Sequence, residues 1–329
     1  MPVSEIKNSC INTAQFNKKL LFYLFELGDK LKKLDQKRSA RLKLQSLLND
    51  KRACMYFNQP STRTFFSFSN ACHLLGIKIS DIRDSENSSE KKGESFEDTI
   101  HTLSLYSDLI IMRHRNEDSS QRASALLINQ KVKLINAGSG KDQHPTQALL
   151  DIYTIYNCLA SGGKNKINGK TILIAGDLKR GRAARSLIYI LKDFKIKFIL
   201  ASPDILKSEP DVISFIKENK NFSYIETPGI KEHLSEADVI YMTRIQDEYD
   251  NENESLQINY EPFKLKIEDL KSIKEDAIIM HPLPRRDEID VKIDNDPRAK
   301  YWEQEKNGLY IRAALISYMF GVDKKIMKL

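Results

Sequence analysis

The sequence predicts an α/β protein of two domains, each a mostly parallel sheet flanked by helices. Apolar strand-like runs alternate along the chain with segments that repeat apolar residues at helical spacing. The alternation is interrupted at Ser161-Gly162-Gly163 and then resumes, which indicates a turn between two domains. A chain of 329 residues is also long enough to form two substantial cores.

In the first half of the chain, helices rich in Leu and Lys come first. Strands are then expected at 54–57, 77–82, 109–112 and 131–136. A helix is expected with its N-terminus at the polar cluster 60–64, an apolar face from Phe65 to Leu75 and its end at Gly76. Further helices are expected over 96–106 and from His144 to about Leu159. The polar segment 84–93 has no apolar periodicity, so it is expected to be a mobile surface loop.

The second half of the chain repeats this alternation. Strands are expected at 171–176, 197–201, 239–242 and 277–280, and helices at 183–191, 211–218 and 310–320. In open parallel sheets, ligands bind at the carboxyl ends of the strands. The residues that follow predicted strands, and that therefore point to a binding site, are Arg113, Asp177, Thr243, Arg244 and His281.

The most informative stretch is Pro60-Ser61-Thr62-Arg63-Thr64, which directly precedes an apolar helical pattern. A helix N-terminus has unpaired N–H groups and a positive dipole end, and an Arg side chain adds a two-pronged grip on phosphate. The alternative is an ordinary capped helix, because Ser and Thr are frequent N-caps. Spacing alone leaves both interpretations open.

Composition excludes several classes of protein. Hydrophobic residues make up 41% and charged residues 29%, as in soluble globular proteins, and no apolar run is long enough to span a bilayer. Four widely spaced cysteines suit a reducing cytoplasm. The net charge of +7 comes from scattered basic residues, which fits anionic small substrates, and we expect neither nucleic acid nor membrane as a partner.

Neither a cofactor nor a metal is expected. The glycines at 176 and 181 match neither the dinucleotide fingerprint nor the Walker loop, and the six histidines form no metal set. No nucleophile elbow is present. The remaining donors would suit two anionic ligands and a developing negative charge, and they include Ser61, Thr62, Arg63, Thr64, Lys92, Arg113, His144, Gln147, Arg182, Arg244 and Gln246.

Six motifs occur in the order seen in aspartate carbamoyltransferases, and the chain resembles that family from about Tyr56 to the final helix. They are Ser61-Thr62-Arg63-Thr64, Lys92-Gly93-Glu94-Ser95, Met112-Arg113-His114, His144-Pro145-Thr146-Gln147, Tyr241-Met242-Thr243-Arg244-Ile245-Gln246 and His281-Pro282-Leu283-Pro284-Arg285. Each motif is weak, but six in order are specific. The cysteine that ornithine carbamoyltransferases carry beside the Leu-Pro pair is absent.

The resemblance implies a site for carbamoyl phosphate. Ser61, Thr62, Arg63 and Thr64 would hold its phosphate, with Arg113 in contact with the same ligand. Thr64, Arg113 and His144 would donate to the carbonyl oxygen. The carbamoyl NH₂ would be held by Gln147 and by the backbone carbonyls of Pro282 and Leu283.

The resemblance also implies a site for L-aspartate and a set of catalytic residues. The aspartate site would consist of Lys92, Arg182, Arg244 and Gln246. The catalytic residues would be Arg63, Thr64, Lys92, Arg113 and His144. The amine of aspartate would attack the carbamoyl carbon and displace phosphate, giving carbamoyl aspartate, the reaction of pyrimidine biosynthesis.

At the level of domains, the resemblance implies that 1–155 binds carbamoyl phosphate and 156–304 binds aspartate. A C-terminal helix over about 305–329 would return to the first domain. The family's catalytic unit is a homotrimer in which Lys92, with Ser88 on the same loop, would reach a neighbouring active site. The sequence leaves open whether separate regulatory chains join it.

Two departures from the family pattern stand beside the first motif. Gln59 occupies a position that is usually Glu, and Phe65 one that is often Arg. Gln in place of Glu loses the charge-assisted part of a hydrogen bond, so we expect it to affect the rate and substrate closure more than the identity of the ligands. Independently of this, two alternatives stay open, a carbamoyltransferase with another acidic acceptor and a non-catalytic module of the same fold.

Overall fold

The computed structural model describes residues 6–83, 93–159, 166–246 and 258–329. The chain divides into two compact units, Met1–Leu150 with Lys306–Leu329, and Asp151–Glu305. Each unit contains a five-stranded parallel sheet flanked by helices, which confirms the predicted fold class. The predicted turn at 161–163 and the predicted loop up to residue 92 lie outside the described residues.

The first unit holds the N-terminal sheet and the helices around it. Its strands are β1 (Ser9–Cys10), β2 (Arg52–Phe57), β3 (Lys78–Arg83), β4 (Leu109–His114) and β5 (Lys133–Ser139). Its helices are α1 (Lys18–Asp35), α2 (Arg38–Gln45), α3 (Thr62–Leu75), α4 (Phe96–Tyr106), α5 (Ser119–Leu126) and the first part of α6 (Pro145–Cys158). The strand order is β1-β5-β4-β2-β3.

The inner strands of this sheet are mostly buried and rich in apolar residues, as expected where helices cover both faces of a parallel sheet. Cys54 and Tyr56 on β2 pack with Ile110 and Met112 on β4 and with Ile100 on α4. Burial of this kind contributes about 25 cal/mol for each Å² of apolar surface, and it fixes the ends of β2 and β4 beside each other.

The C-terminal helices α9 (Tyr301–Met319) and α10 (Asp323–Lys328) return to the first unit, as predicted. The hydroxyl of Tyr23 on α1 donates a short hydrogen bond to the carboxylate of Asp323. The hydroxyl of Tyr310 donates to Oδ2 of Asp35 over 3.1 Å. Both bonds join α1 to the end of the chain.

The second unit repeats the architecture with different connections. Its strands are β6 (Lys170–Ala175), β7 (Ile196–Ala201), β8 (Phe222–Thr227), β9 (Val239–Met242) and β10 (Ile278–Met280). Its helices are α7 (Arg182–Ile190) and α8 (Pro210–Glu218), with short 3₁₀ turns between the later strands. The strand order is β10-β9-β6-β7-β8.

The sequence missed β1, α5 and β8, and it began the last long helix too late. The helix expected over 310–320 begins at Tyr301, because buried positions in its first turns carry polar side chains. Gln304 and Asn307 are almost inaccessible to solvent. Gln304 donates to the carboxylate of Asp151 over 2.7 Å. This buried contact is made by a polar side chain, which a hydrophobic pattern would assign to the surface.

Each sheet has one switch point, where the chain changes the side on which it adds strands. In the first unit the switch lies between β2 and β4, and in the second unit between β6 and β9. Crevices at such points are the usual ligand sites of open α/β sheets. The motif 60–64 follows β2, and the segments 176–182 and 243–246 follow β6 and β9.

Candidate active site

The motif 61–64 forms the N-terminus of α3. Ser61 is the N-cap, with φ −162° and ψ 106°, but its side chain makes no capping hydrogen bond. Asn17 and Ser95, by contrast, cap α1 and α4 with their side chains. The ordinary-cap interpretation is therefore not supported for Ser61, whose hydroxyl is not used to satisfy the helix end.

The position of α3 is set by packing at its first turn and by a glycine at its end. Phe65 packs edge-on against Phe57 with ring centroids 5.4 Å apart, and the Arg83 guanidinium lies 3.5 Å from the Phe65 ring centroid. Oδ2 of Asp81 accepts a 2.8 Å bond from Nε of Arg83. Gly76 ends the helix with φ 85°, as predicted. Phe65, where the resemblance led us to expect Arg, is thus covered by an arginine from β3.

His144 lies directly before α6 and is buried beside Thr64. Its Nε2 is 3.5 Å from Oγ1 of Thr64. Its Nδ1 accepts the backbone N–H of Gln147 over 3.3 Å and lies 3.5 Å from Oγ1 of Thr146. An accepting Nδ1 places the ring proton on Nε2, so the imidazole presents a donor on the side of Thr64.

Arg113 is half-buried near the carboxyl end of β4. The strand extends two residues further than predicted, so Arg113 lies within it rather than after it. Its Nη1 donates to the carbonyl oxygen of Ala137 over 3.3 Å, and its own carbonyl accepts the N–H of Asn58 over 2.9 Å. These bonds hold Arg113 between β5 and the segment that leads to Ser61.

In the second unit, Asp177 organises the two segments at the switch point. This fully buried carboxylate accepts the N–H of Arg180 over 2.9 Å and the N–H of Gln246 over 3.2 Å. The segments approach so closely that position 176 requires glycine. A Cβ on Gly176, whose φ is 115°, would lie 2.1 Å from the carbonyl oxygen of Thr243.

The predicted aspartate-site residues of this unit follow the same two strands. Arg182 is the first residue of α7, after the N-cap Gly181. A Cβ at Gly181 would lie 3.6 Å from Nε2 of Gln246, which places that amide beside the start of α7. Nη1 of Arg244 donates to the carbonyl of Ile245 over 2.9 Å. Two arginines and one amide therefore lie at one edge of this sheet.

Pro282 and Leu283 follow β10, which pairs with β9, so they lie at the same edge of the sheet. The Leu283 backbone has φ 45°. Its N–H donates to Nδ1 of His281 over 2.7 Å. Nε2 of His281 in turn bonds Oε1 of Glu288 over 2.7 Å, a contact that the sequence did not predict.

The predicted site residues that the structure describes thus form two clusters, one in each unit. Lys92 and Ser88 lie outside the described residues. Within the described ranges, no three His, Cys, Asp or Glu side chains gather as a metal site. No periodicity or motif in the sequence indicated Glu288. The one available signal was a carboxylate seven residues after His281.

Two sequence models of one family match the chain and together cover most of it. The model described as the carbamoyl-P binding domain of aspartate/ornithine carbamoyltransferase matches residues 8–157. The model described as the Asp/Orn binding domain of the same family matches residues 168–319. The chain belongs to the aspartate/ornithine carbamoyltransferase family.

Relatives within this family are named for aspartate as the acceptor. The aspartate carbamoyltransferase catalytic subunit of Chromobacterium violaceum is 40% identical over 286 residues, which cover 86% of this chain and 91% of that protein. The corresponding subunit of Thermoplasma volcanium is 38% identical over 303 residues, 92% of this chain and 94% of that protein. A chloroplastic aspartate carbamoyltransferase of Arabidopsis thaliana is 38% identical over 315 residues, 94% of this chain and 77% of that protein.

Solved structures of carbamoyltransferases share the fold closely. Aspartate transcarbamoylase from Trypanosoma cruzi in complex with N-(phosphonacetyl)-L-aspartic acid has a TM-score of 0.86 and 33% identity, covering 94% of this chain and 95% of that one. The same enzyme with carbamoyl aspartate and phosphate has a TM-score of 0.81 and 32% identity, with the same coverage. The resemblance drawn from the motifs is therefore confirmed.

Proposed function

We propose that the protein transfers the carbamoyl group of carbamoyl phosphate to the amine of L-aspartate, giving N-carbamoyl-L-aspartate and phosphate. The observation that carries the proposal is the placement of donors at the switch point of each sheet, in a chain of this family. Relatives solved with carbamoyl phosphate, with aspartate and with carbamoyl aspartate support the same reaction. The reaction belongs to pyrimidine biosynthesis.

The first unit supplies the site for carbamoyl phosphate. The N-terminus of α3 binds the phosphate through Ser61, Thr62, Arg63 and Thr64, because its N–H groups and its dipole favour an anion. Arg113 adds a charge-assisted bond to the same ligand. Nε2 of His144 and Oγ1 of Thr64 are 3.5 Å apart, and both donate to the carbonyl oxygen of carbamoyl phosphate. Gln147, one turn along α6, holds the carbamoyl NH₂.

The second unit supplies the site for aspartate. Arg182, Arg244 and Gln246 bind the two carboxylates, and Lys92 of a neighbouring subunit adds a further charge. The backbone carbonyls of Pro282 and Leu283 accept hydrogen bonds from the carbamoyl NH₂. Several cations are needed because two anionic substrates repel each other when they are held for reaction.

In the reaction the neutral amine of aspartate attacks the carbamoyl carbon, and a tetrahedral oxyanion forms. The C–O bond to phosphate then breaks, phosphate leaves with its electron pair, and the attacking nitrogen gives a proton to the leaving phosphate. Thr64, Arg113 and His144 stabilise the oxyanion, and a single such donor contributes about 3 kcal/mol in the transition state. We propose that neither a metal nor a cofactor takes part.

The proposed assembly is a homotrimer in the cytoplasm, with active sites shared between subunits. Relatives are named catalytic subunits, which leaves room for separate regulatory chains. All four cysteines are free thiols, as expected in a reducing compartment. No helix among the described residues is long and apolar enough to cross a membrane.

The direct test is a colorimetric assay for carbamoyl aspartate with purified protein, carbamoyl phosphate and L-aspartate. We expect product from the wild type and a loss of about 10²- to 10³-fold in kcat for His144→Ala. His101→Ala, which removes an exposed imidazole from α4, is the matched control and should retain full activity. A folded wild-type protein that makes no carbamoyl aspartate would overturn the proposal.

Acceptor competition separates the remaining alternatives. If the acceptor were another acidic amine, that amine would be carbamoylated faster than aspartate at equal concentration. If the protein were a non-catalytic module, it would bind carbamoyl phosphate without turnover of any amine. The retained cations Arg113, Arg182 and Arg244 favour a catalytic protein that acts on aspartate.

A further inference from the structure

The loop after β10 carries a backbone conformation that requires support. Leu283 has φ 45°, and no other non-glycine residue in the described part of the chain has a positive φ. The left-handed region is unfavourable for residues with a Cβ, because Cβ crowds the following carbonyl oxygen. Some contact must therefore hold Leu283 in place.

That contact comes from a buried histidine. Nδ1 of His281 accepts the Leu283 N–H over 2.7 Å, and the His281 side chain has no exposed surface. The His281 backbone N–H is itself fixed, because it donates to Oε1 of Gln304 over 3.0 Å. Since Nδ1 is the acceptor, the ring proton is on Nε2, and this proton is donated to Oε1 of Glu288 over 2.7 Å.

Glu288 also bonds the backbone of its own loop and of a neighbouring segment. Besides His281, its two carboxylate oxygens each accept the backbone N–H of Arg286 over 3.1 Å. Its backbone carbonyl accepts the N–H of Leu265 over 2.9 Å, which ties Glu288 to the rest of the unit. Burial alone would raise the pKa of Glu288, but the hydrogen bonds from His281 and from backbone N–H groups lower it overall, so the carboxylate stays ionised.

We infer that Glu288 is a positioning residue that acts through His281 to hold Leu283, and so aims the carbonyls of Pro282 and Leu283 at the carbamoyl NH₂. The inference rests on the proposed function, which assigns those carbonyls to the NH₂ group. Glu288 fixes the tautomer and the orientation of His281, as a carboxylate does for a metal-binding histidine. The accepting Nδ1 then selects the left-handed conformation of Leu283.

The test compares two ligands that differ in the group concerned. We expect inorganic phosphate to bind only to the N-terminus of α3 and Arg113, whereas carbamoyl phosphate also presents the NH₂ group. For Glu288→Ala we expect the Kd of carbamoyl phosphate to rise about tenfold by calorimetry, with the Kd of phosphate unchanged. Glu288→Gln keeps an acceptor for the His281 proton, so it should restore most of the affinity.

Asp238→Ala is the matched control. The Asp238 side chain has the same exposed fraction as that of Glu288, 13%, and it accepts the backbone N–H of Thr171 over 2.8 Å at the opposite ends of the strands. It should lower the Tm but leave both Kd values unchanged. The inference is overturned if Glu288→Ala weakens both ligands equally or weakens neither.

A second readout keeps the inference separate from the proposed function. If the wild type fails to bind carbamoyl phosphate, the proposed function is wrong, and the contact itself can still be measured. We expect the ¹⁵N shifts of His281 in the wild type to show the proton on Nε2, and Glu288→Ala to show a mixture of tautomers. Unchanged His281 shifts in Glu288→Ala would overturn the positioning role.

Discussion

At the scale of single residues, the most informative departure is Gln59, which stands where the family usually has Glu. It follows β2 and is only partly exposed. Its neighbour Asn58 accepts a 2.9 Å bond from Nε of Arg115, so one guanidinium lies beside this segment. A carboxylate here would make charge-assisted bonds that an amide makes more weakly.

We therefore predict that Gln59→Glu alters the kinetics of the acceptor. An added charge-assisted bond of about 1 kcal/mol would change the KM for aspartate or the kcat about fivefold, in the direction of higher kcat/KM. Steady-state kinetics at saturating carbamoyl phosphate measure both constants. Asn70→Asp, on the exposed side of α3, is the control for an added negative charge. Identical kinetics for Gln59→Glu and the wild type would refute this role of residue 59.

At the scale of elements, α3 is the helix whose placement matters most, and Gly76 fixes its end. Gly76 has φ 85°, and a Cβ there would lie 1.8 Å from the carbonyl oxygen of Gln45. Gly321, at the end of α9, has φ 70° but no atom within 4 Å of such a Cβ. A substitution at either position strains the backbone, but only a substitution at Gly76 also produces a steric clash. Comparing the two therefore isolates the effect of the clash.

Gly76→Ala should destabilise the protein more than Gly321→Ala does. The backbone strain common to both costs about 1–2 kcal/mol, and the clash with Gln45 should add at least ~2 kcal/mol because a backbone atom cannot swing away. Urea denaturation curves give both free energies of unfolding. Equal losses in the two variants would show that the α2–α3 contact relaxes at no cost.

The elements that the sequence missed have a common physical cause. The edge strand β8 has no buried residue and contains Ser223, Glu226 and Thr227, so its sequence resembles a loop. α5 reads SSQRASAL and owes its helicity to packing on β4 and β5 rather than to an apolar stripe. Strands buried on both faces, such as β4 and β6, are continuous apolar runs and were predicted well.

At the scale of the whole molecule, surface ion pairs set part of the response to acid. Glu261 bonds Lys264 over 2.8 Å and Lys266 over 2.9 Å, and these bonds lower its pKa to about 2. Bonds from Lys197 and His233 likewise lower the pKa of Glu236 to about 2. Stability from a depressed carboxyl pKa is present above the unfolded value of 4.5 and is lost as the pH falls toward 2.

Glu261→Gln and Glu236→Gln should therefore have Tm values that fall less steeply than that of the wild type below pH 4.5, the unfolded value of both groups. Glu218→Gln, an exposed change on α8, controls for the loss of one charge. Because the side chains are exposed, added salt should reduce the difference. Scanning calorimetry over this pH range measures it, and parallel curves for all variants would contradict the assignment.

The proposed trimer can be tested by complementation between two inactive variants. Lys92→Ala and His144→Ala remove residues that the proposal places in the same active site but on different subunits. Co-expressed chains should form mixed trimers that regain up to about one third of wild-type activity, since each mixed trimer holds one intact site. The particle should have about three times the chain mass of 37.9 kDa.

Two results would contradict the shared site. One is a protein that is a monomer by size-exclusion chromatography with light scattering and that retains full activity. The other is a mixed trimer that shows no activity beyond that of its parent variants.

The sequence by itself determined the fold class, the return of the C-terminal helix and the family. Those features follow from hydrophobic periodicity and from short motifs, which are local along the chain. The tertiary structure decided which groups of different motifs meet, such as Thr64 with His144. It also revealed that Glu288 fixes His281 and that Arg83 covers Phe65. Such contacts depend on strand order and on the two switch points, because topology, and not spacing along the chain, brings those strand ends together.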